Sequence, residues 1–450
     1  MRALKLWHLI SAISMHCTQP VLKSSQLVTE PSAGLEQEET EHDVDLIHEC
    51  VVKMAKEISD FMDITPDKQR MDSLMVAANI RNLSLLELFY TCVANLCKIM
   101  DERGTKIPDE QYHYIKKDDY NKCIYHKRDM DATERTVIVM KDADILIKIC
   151  DSTGDFDDTS EYQLLIRLLK ERTIIDDDGS RRLRQKEEVE NPSEVLLNPS
   201  DPEATFRYKA GGKHLGYVGN VVEAVGEKSS LVIDYDYQQN TYADNQFMKD
   251  YLNEKKDFSD GSFIVADGAC SGEENSRLAS EHNLKLVTTN FTGRKPDEIY
   301  ADFVFTDDGK YLIKCKNNRV PEDCIYDPGN ERSVAYFRIS DCEGCPYKER
   351  CQSRFLKTRV RKEVSWKSVG RAKQLQYMQT EEFSEYAKFR NGVEAIPSLL
   401  RRRYHVDKIP VHGKKRTRLF FGFKIAALDF QKLLDYTNSL DSHASNKKTA

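Results

Sequence analysis

The chain has 450 residues, 31% of them charged, with a net charge of −7 at neutral pH and a mean hydropathy of −0.60. That length builds one elaborated domain or two to three smaller ones, and no run approaches the ~18 apolar residues of a membrane span. Twelve cysteines without a clean secretion signal point to thiols or metal ligands rather than disulfides. Charge is unevenly spread. Between Lys357 and Lys424 stand eighteen Lys and Arg against six Asp and Glu, while acid collects in Glu36–Asp45 and Asp151–Glu190. A basic final third on an acidic chain suits a polyanion held on one face, although a solvated charged surface would read the same way.

Met1 to Cys17 places Arg2 and Lys5 before an apolar stretch that Trp7, His8, Ser11 and Ser14 interrupt. No small-x-small cleavage site follows, so it reads as an amphipathic helix rather than a signal peptide. Residues 20–45 carry Pro20, Pro31 and a dense acidic run, which reads as a linker. Val44, Ile47, Val51, Met54, Ile58 and Phe61 then recur at helical spacing. Met71 to Ala77 reads as a strand holding Asp72, and Leu83 to Met100 as an apolar-rich helix. Residues 101–190 read as helices with polar connections, among them Glu161–Leu169, and the charged run 174–191 as a mobile loop. Asn198 to Pro202 is a turn by composition, and Lys209–Lys213 a short basic loop.

From Gly216 the period changes. GYVGNVVEAV and SSLVIDYDYQQN are strand-like and joined by a turn, which predicts a hairpin, and Asp244–Leu252 reads as a helix. Phe263 to Ala266 is a short apolar run of the kind buried on both faces, and it ends in Asp267-Gly268. Ser271 then caps a helix beginning near Glu273. A carboxylate at such a strand end faces solvent from a rigid base, which suits a metal ligand or a general base. Strand-end aspartates also simply start turns. A strand with Asp72, a large insertion, a hairpin, a helix and a strand with Asp267 follow the order of a ribonuclease-H-like fold, in which carboxylates on neighbouring strands share metal ions. Fold order does not by itself fix chemistry.

Cys342 and Cys345 form a CxxC pair, with Cys351 downstream and Cys315 and Cys324 upstream. Thiolates at such spacing can converge on one tetrahedral zinc, and a cluster of reduced structural thiols is the plainer reading. No thioredoxin-like pattern supports a redox pair. In TEEFSEYAKFRNGVEAIPSLL, Tyr386, Arg390 and Glu394 are spaced to share one helical face, and Pro397 bends or ends that helix just past Glu394. Arg401, Arg402, Arg403 and His405 follow, then Gly413–Arg418, and finally residues 419–434 form an apolar helix that completes the core.

Three stretches, RMDSLMVAANIRNLS around Asp72, ADGACSGEEN around Asp267 and YAKFRNGVEAIPSLLRRRYHVDK around Glu394, together resemble bacterial insertion-sequence transposases of the Asp-Asp-Glu type. The nearest group is the IS-eleven-eighty-two type, which has a cysteine cluster inserted before its last acid. NPSDPEATFRYKAGGKHLGYVGN resembles that group too, and the likeness runs from about Trp7 to Leu434. It implies an α/β chain with a ribonuclease-H-like core, a helical insertion and a cysteine-containing insertion, an enzyme that cuts DNA at transposon ends and joins the freed 3′ ends to a target. Asp72, Asp267 and Glu394 would be the catalytic acids and hold Mg²⁺ or Mn²⁺, with Asp201 the alternative first acid. Two such ions, about 3.5–4 Å apart, serve the attacking and the leaving oxygen. From their spacing, Cys342, Cys345 and Cys351, with Cys315 or Cys324 as the fourth, are candidate ligands of a structural zinc. Arg390 would touch a phosphate or orient the last acid. Together with Lys388, Arg401, Arg402, Arg403, Lys414, Lys415, Arg416 and Arg418 it would hold the DNA backbone.

The implied organisation is a helical remnant and acidic linker (1–66), a first core strand (67–82), a helical insertion (83–200) and the core (201–300). A cysteine-rich insertion (301–375), a catalytic-helix and basic segment (376–440) and a disordered tail (441–450) follow. The implied partners are transposon-end and target DNA and further copies of the chain on that DNA, not a membrane, in the bacterial cytoplasm at the nucleoid. Cys270 stands where the group usually has Tyr and Leu85 where it often has Arg, and most of the group's first helical region is missing. These departures suggest a truncated copy, one that could be inactive. The rival readings are a non-catalytic DNA-binding remnant and a nuclease that nicks without joining.

Overall fold

The computed structural model describes residues 45–126, 130–209, 211–254, 258–291 and 293–446. The helix expected at Met1–Cys17 and nearly all of the linker at 20–45 lie outside them. The chain is mixed α/β with a mixed sheet, and its contacts divide it into two units. The first holds 45–66, 72–243 and 395–446, and the second 67–71 and 244–394.

In the first unit, α1 (Leu46–Met62) starts where the Asp45 carboxylate accepts the His48 amide, and it buries Ile47, Val51, Met54 and Ile58, the face its periodicity set out. β1 (Lys68–Ala77) is common to both units and enters the first at Asp72. α2 (Leu85–Glu102) opens with a Ser84–Glu87 capping box. With α3 (Ala132–Thr153) and α4 (Ser160–Arg172) it builds a separate core around Phe89, Leu96, Met140, Leu146 and Leu165.

The charged run after α4 differs from the expected loop. β2 (Thr173–Ile175) pairs antiparallel with β3 (Arg181–Leu183). Its charges hold it in place: Arg181 pairs with Asp144 at 2.8 Å, and Arg182 pairs with Asp176 at 3.0 Å and Glu188 at 2.8 Å. β4 (Thr205–Lys209), β5 (Gly212–Val225) and β6 (Ser230–Gln239) follow, and β5 pairs antiparallel with both of the others. β5 also lies beside β1. At Gly216 the backbone has φ +131°, and a Cβ there would stand 2.4 Å from the Ala78 nitrogen and the Val76 oxygen, so only glycine lets the strands approach this closely.

In the second unit, α5 (Asp244–Glu254) precedes β7 (Phe263–Ala266), and α6 (Glu273–Glu281) precedes β8 (Lys285–Thr288). β7 runs parallel to β8, and on its other edge parallel to the first residues of β1, with Lys68 opposite Phe263 and Arg70 opposite Val265. The central sheet has six strands in the order β4-β5-β1-β7-β8, with β6 also paired to β5. A smaller part follows: β9 (Val304–Phe305) with β10 (Leu312–Lys314), then β11 (Asp323–Asp327) and β12 (Arg332–Phe337). Two short helices, α7 (Ile339–Glu343) and α8 (Lys348–Cys351), lead to β13 (Arg354–Phe355) and β14 (Val360–Val364), which complete a sheet of order β11-β12-β14-β13. Phe303, Phe305, Phe337 and Val360 fill its core. α9 (Trp366–Tyr377) and α10 (Glu381–Arg390) end the unit.

The chain then returns to the first unit as α11 (Ala395–Arg402) and α12 (Lys414–Asn446). α12 packs on α1 and buries Leu419, Phe421, Ile425 and Leu428 in the core that also takes Tyr217, Tyr235 and Tyr237.

Candidate functional site

Asp267 follows directly on β7, whose Ile264, Val265 and Ala266 are buried. Its Oδ1 accepts the Gly268 amide at 2.6 Å and Asn290 Nδ2 at 2.9 Å. Nη2 of Arg390 stands 3.6 Å from the same oxygen, and the aspartate side chain is 47% exposed. Oδ2 takes part in none of these contacts. The helix after it begins differently from expectation: Gly272, not Ser271, is the N-cap of α6, and no side chain caps it.

Asn290 carries no signal by itself in the sequence. Its place follows from parallel pairing. Ala266 lies opposite Thr288, and the Thr289 amide donates to the Ala266 carbonyl at 3.2 Å, so the residues just past the two strand ends are neighbours.

Arg390 is delivered by aromatic packing. α10 is capped by Thr380, which accepts the Phe383 amide. Phe383 is buried against Val265 and Val287, and Tyr386 and Phe389 stand edge-on to Phe263 at 4.8 and 5.2 Å. Tyr386 and Arg390 share a face as expected, but the helix stops at Arg390. Glu394 is exposed in the turn that precedes α11. The reason is local. Pro397 lacks an amide donor and is tolerated only in a first helical turn, so a new helix starts at Ala395 around it. Gly392 lies in that turn with the Arg70 guanidinium against it, and Arg70 also stacks on Phe389 at 4.2 Å.

Asp72 lies half-buried on β1 in the first unit, its Oδ1 accepting the Ser73 amide at 2.9 Å. Asn220 of β5 donates to the Ser73 hydroxyl at 2.9 Å. Asp201 is completely buried in the same unit and accepts the Tyr217 hydroxyl. Burial first, and then that bond, push the Tyr217 phenol up.

The described cysteines are all free thiols. Cys315, Cys324, Cys342 and Cys351 pack against the β11–β14 core. The Cys324 sulfur is taken up at 2.9 Å from the Ser333 hydroxyl. Burial pushes the Cys342 thiol up to about 11, and the thiols of Cys351, Cys315 and Cys345 add to the rise. No three of the Cys315, Cys324, Cys342, Cys345 and Cys351 sulfurs lie within 4.8 Å of one another, so the expected zinc ligands are near one core without meeting at one point.

Lys388 is exposed on α10. In the first unit Arg401, Arg402, Arg403, Lys415 and Arg416 are exposed, whereas Arg418 pairs with Asp45 at 3.1 Å, Arg403 bonds Gln431 and Lys414 bonds Gln238. The basic stretch is thus partly paired rather than wholly unpaired.

Residues 315–434 match a family model described as Transposase DDE domain. The match supports a DDE transposase. It spans the cysteines, α10, Glu394 and the basic stretch, and it leaves Asp72 and Asp267 outside. A transposase domain implies DNA as the partner. No curated protein and no solved structure matches the chain. Among the described residues no helix is long and apolar enough to cross a membrane.

Proposed function

We propose that the chain is a metal-dependent DNA transposase of the IS-eleven-eighty-two type, with a ribonuclease-H-like core that cleaves transposon ends and transfers the 3′ ends to target DNA. The reading rests on Asp267, a carboxylate fixed through one oxygen at the end of a buried parallel strand, in a chain whose later part matches a transposase DDE domain. The sheet order β4-β5-β1-β7-β8, with β6 paired to β5, supports such a core.

Asp72, Asp267 and Glu394 are the acids in this reading. Carboxylate oxygens suit Mg²⁺ or Mn²⁺, and Asp267 fits because its Oδ1 is tied to protein donors while the side chain stays open to solvent. Such ions, when bound, activate an oxygen nucleophile and stabilise the leaving oxygen. The chain's own residues position these acids. Asn290 and Arg390 orient the Asp267 carboxylate, and Arg390 is a cation placed to meet an incoming phosphate. Lys388, Arg401, Arg402, Arg403, Lys414, Lys415, Arg416 and Arg418 attract the DNA backbone. Cys315, Cys342, Cys345 and Cys351 are the zinc ligands in this reading, and their sulfurs would have to draw together on the ion, since no three of them lie within 4.8 Å of one another.

The test uses the full chain, Mg²⁺ and a plasmid bearing the DNA that flanks the chain's own gene. Cleaved ends and joined products are expected, and Asp267→Asn should abolish both while DNA binding survives. Binding without Mg²⁺-dependent cleavage would leave a DNA-binding remnant, and nicks without joining would leave a nuclease.

A further inference from the structure

The segment between α2 and α3 has no long element. It contains a 3-10 turn at Tyr112–Ile115, a single helical turn at Asp119–Asn121 and a π turn at Lys122–His126. π turns are rare and concentrate at functional sites. One side chain from each of these turns comes to the same point. His113 Nδ1, Asp119 Oδ2 and Cys123 Sγ all lie within 4.8 Å of one another, and all three residues are half-buried. Among the described residues this is the one trio of His, Cys, Asp or Glu that comes so close.

His113 Nδ1 is 2.7 Å and Cys123 Sγ 3.4 Å from Asp119 Oδ2, and the Tyr90 hydroxyl of α2 donates to that oxygen at 2.6 Å. Burial would raise the Asp119 carboxyl, but the bonds from Tyr90, His113 and Cys123 outweigh it and hold the group below the usual range. The carboxylate is therefore ionised at neutral pH with a nitrogen and a sulfur beside it. An imidazole nitrogen, a thiolate and a carboxylate are the donor set of a borderline-soft divalent cation, whereas Mg²⁺ and Ca²⁺ prefer oxygen alone.

We propose that His113, Asp119 and Cys123 form a binding site for a zinc-class divalent cation, separate from the acids and from the cysteine cluster. On binding, the His113 ring proton sits on Nε2 instead of Nδ1, the cation takes the freed Nδ1 lone pair, and the Cys123 thiol proton is released to water. Tyr90 remains as the hydrogen bond that orients the carboxylate. Half-burial leaves the fourth tetrahedral position to water. The site ties together three short turns that no regular ladder joins.

Co²⁺ is the probe, since a thiolate bound to it absorbs in the near ultraviolet. The full chain with Cys342→Ser and Cys345→Ser is titrated, so that the other thiol cluster is weakened. One equivalent with thiolate absorption is expected. Adding Cys123→Ser should remove that equivalent and its band, adding Cys50→Ser should leave both, and excess Mg²⁺ should not compete. Absence of the band before Cys123 is changed, or its persistence afterwards, overturns the proposal. If circular dichroism shows that the doubly substituted chain does not fold, the count is made in the otherwise unaltered chain. There Cys123→Ser must lower bound Co²⁺ by one equivalent relative to Cys50→Ser, and equal counts overturn the site.

Discussion

Nη2 of Arg390 and Oδ1 of Asp267 stand 3.6 Å apart, on the same carboxylate oxygen that Asn290 holds at 2.9 Å. With both partners partly exposed, an ion pair of this kind is worth roughly 0–1 kcal/mol, so its use is orientation rather than stability. Arg390→Ala and Asn290→Ala should each shift unfolding by less than about 1 kcal/mol and lower Mg²⁺-dependent cleavage about 10- to 100-fold. Denaturant melts and single-turnover cleavage measure the two quantities. A variant that cleaves normally removes its residue from the site.

Gly392 should tolerate a methyl group only if Arg70 gives way. A Cβ there would stand 2.3 Å from Arg70 Nη1, and moving the guanidinium forfeits its stack on Phe389. Gly392→Ala should cost about 1 kcal/mol, the order of a half-buried cation–π contact. In an Arg70→Ala background the cost should vanish. Equal costs in the two backgrounds would mean the crowding is not with Arg70.

The proposed grip on the DNA backbone can be tested at the exposed cations. Arg401, Arg402 and Lys415 enter no ion pair among the described residues. Replacing all three with Ala should lower the slope of log affinity against log salt by about 2–3 and weaken all sequences alike, since each phosphate contact contributes about 0.9. An unchanged slope, or loss confined to one sequence, would place the DNA path elsewhere.

Asp429 on α12 is entirely buried, with Oδ1 accepting the Val232 amide at 3.1 Å. Burial pushes its carboxyl well above the ordinary value, and the nearby Glu223 adds to this while Lys432 opposes. A raised carboxyl favours the folded state in its protonated form. Its contribution is complete below the unfolded value near 3.8 and is lost as pH rises through the folded value. Asp429→Asn, which keeps the acceptor, should therefore stabilise the chain at pH 8 and change little at pH 4. Thermal melts at the two pH values decide it, and a loss at pH 8 would mean the ionised form is satisfied by its surroundings.

Much of the fold was legible because period and burial coincide. The apolar run at Phe263–Ala266, the hairpin from Gly216 and the face of α1 are each set by a local repeat that the core then buries. The β2–β3 hairpin was not legible. A run of charge looks solvated until Asp144, distant in sequence, is seen to pair with Arg181. α10 ends one turn before the four-residue spacing of Arg390 and Glu394 implies, because Gly392 and the first-turn preference of Pro397 start a new helix at Ala395.

At Asp267 the sequence by itself determined that a carboxylate ends a buried strand, since strand burial and the following Gly268 are local properties. Only the tertiary structure decided which groups hold it. Asn290 arrives through the register of two parallel strands, and Arg390 through three aromatic rings that seat α10 against β7 and β8. Strand register and helix docking are settled by packing between segments far apart in the chain, and no local pattern records them.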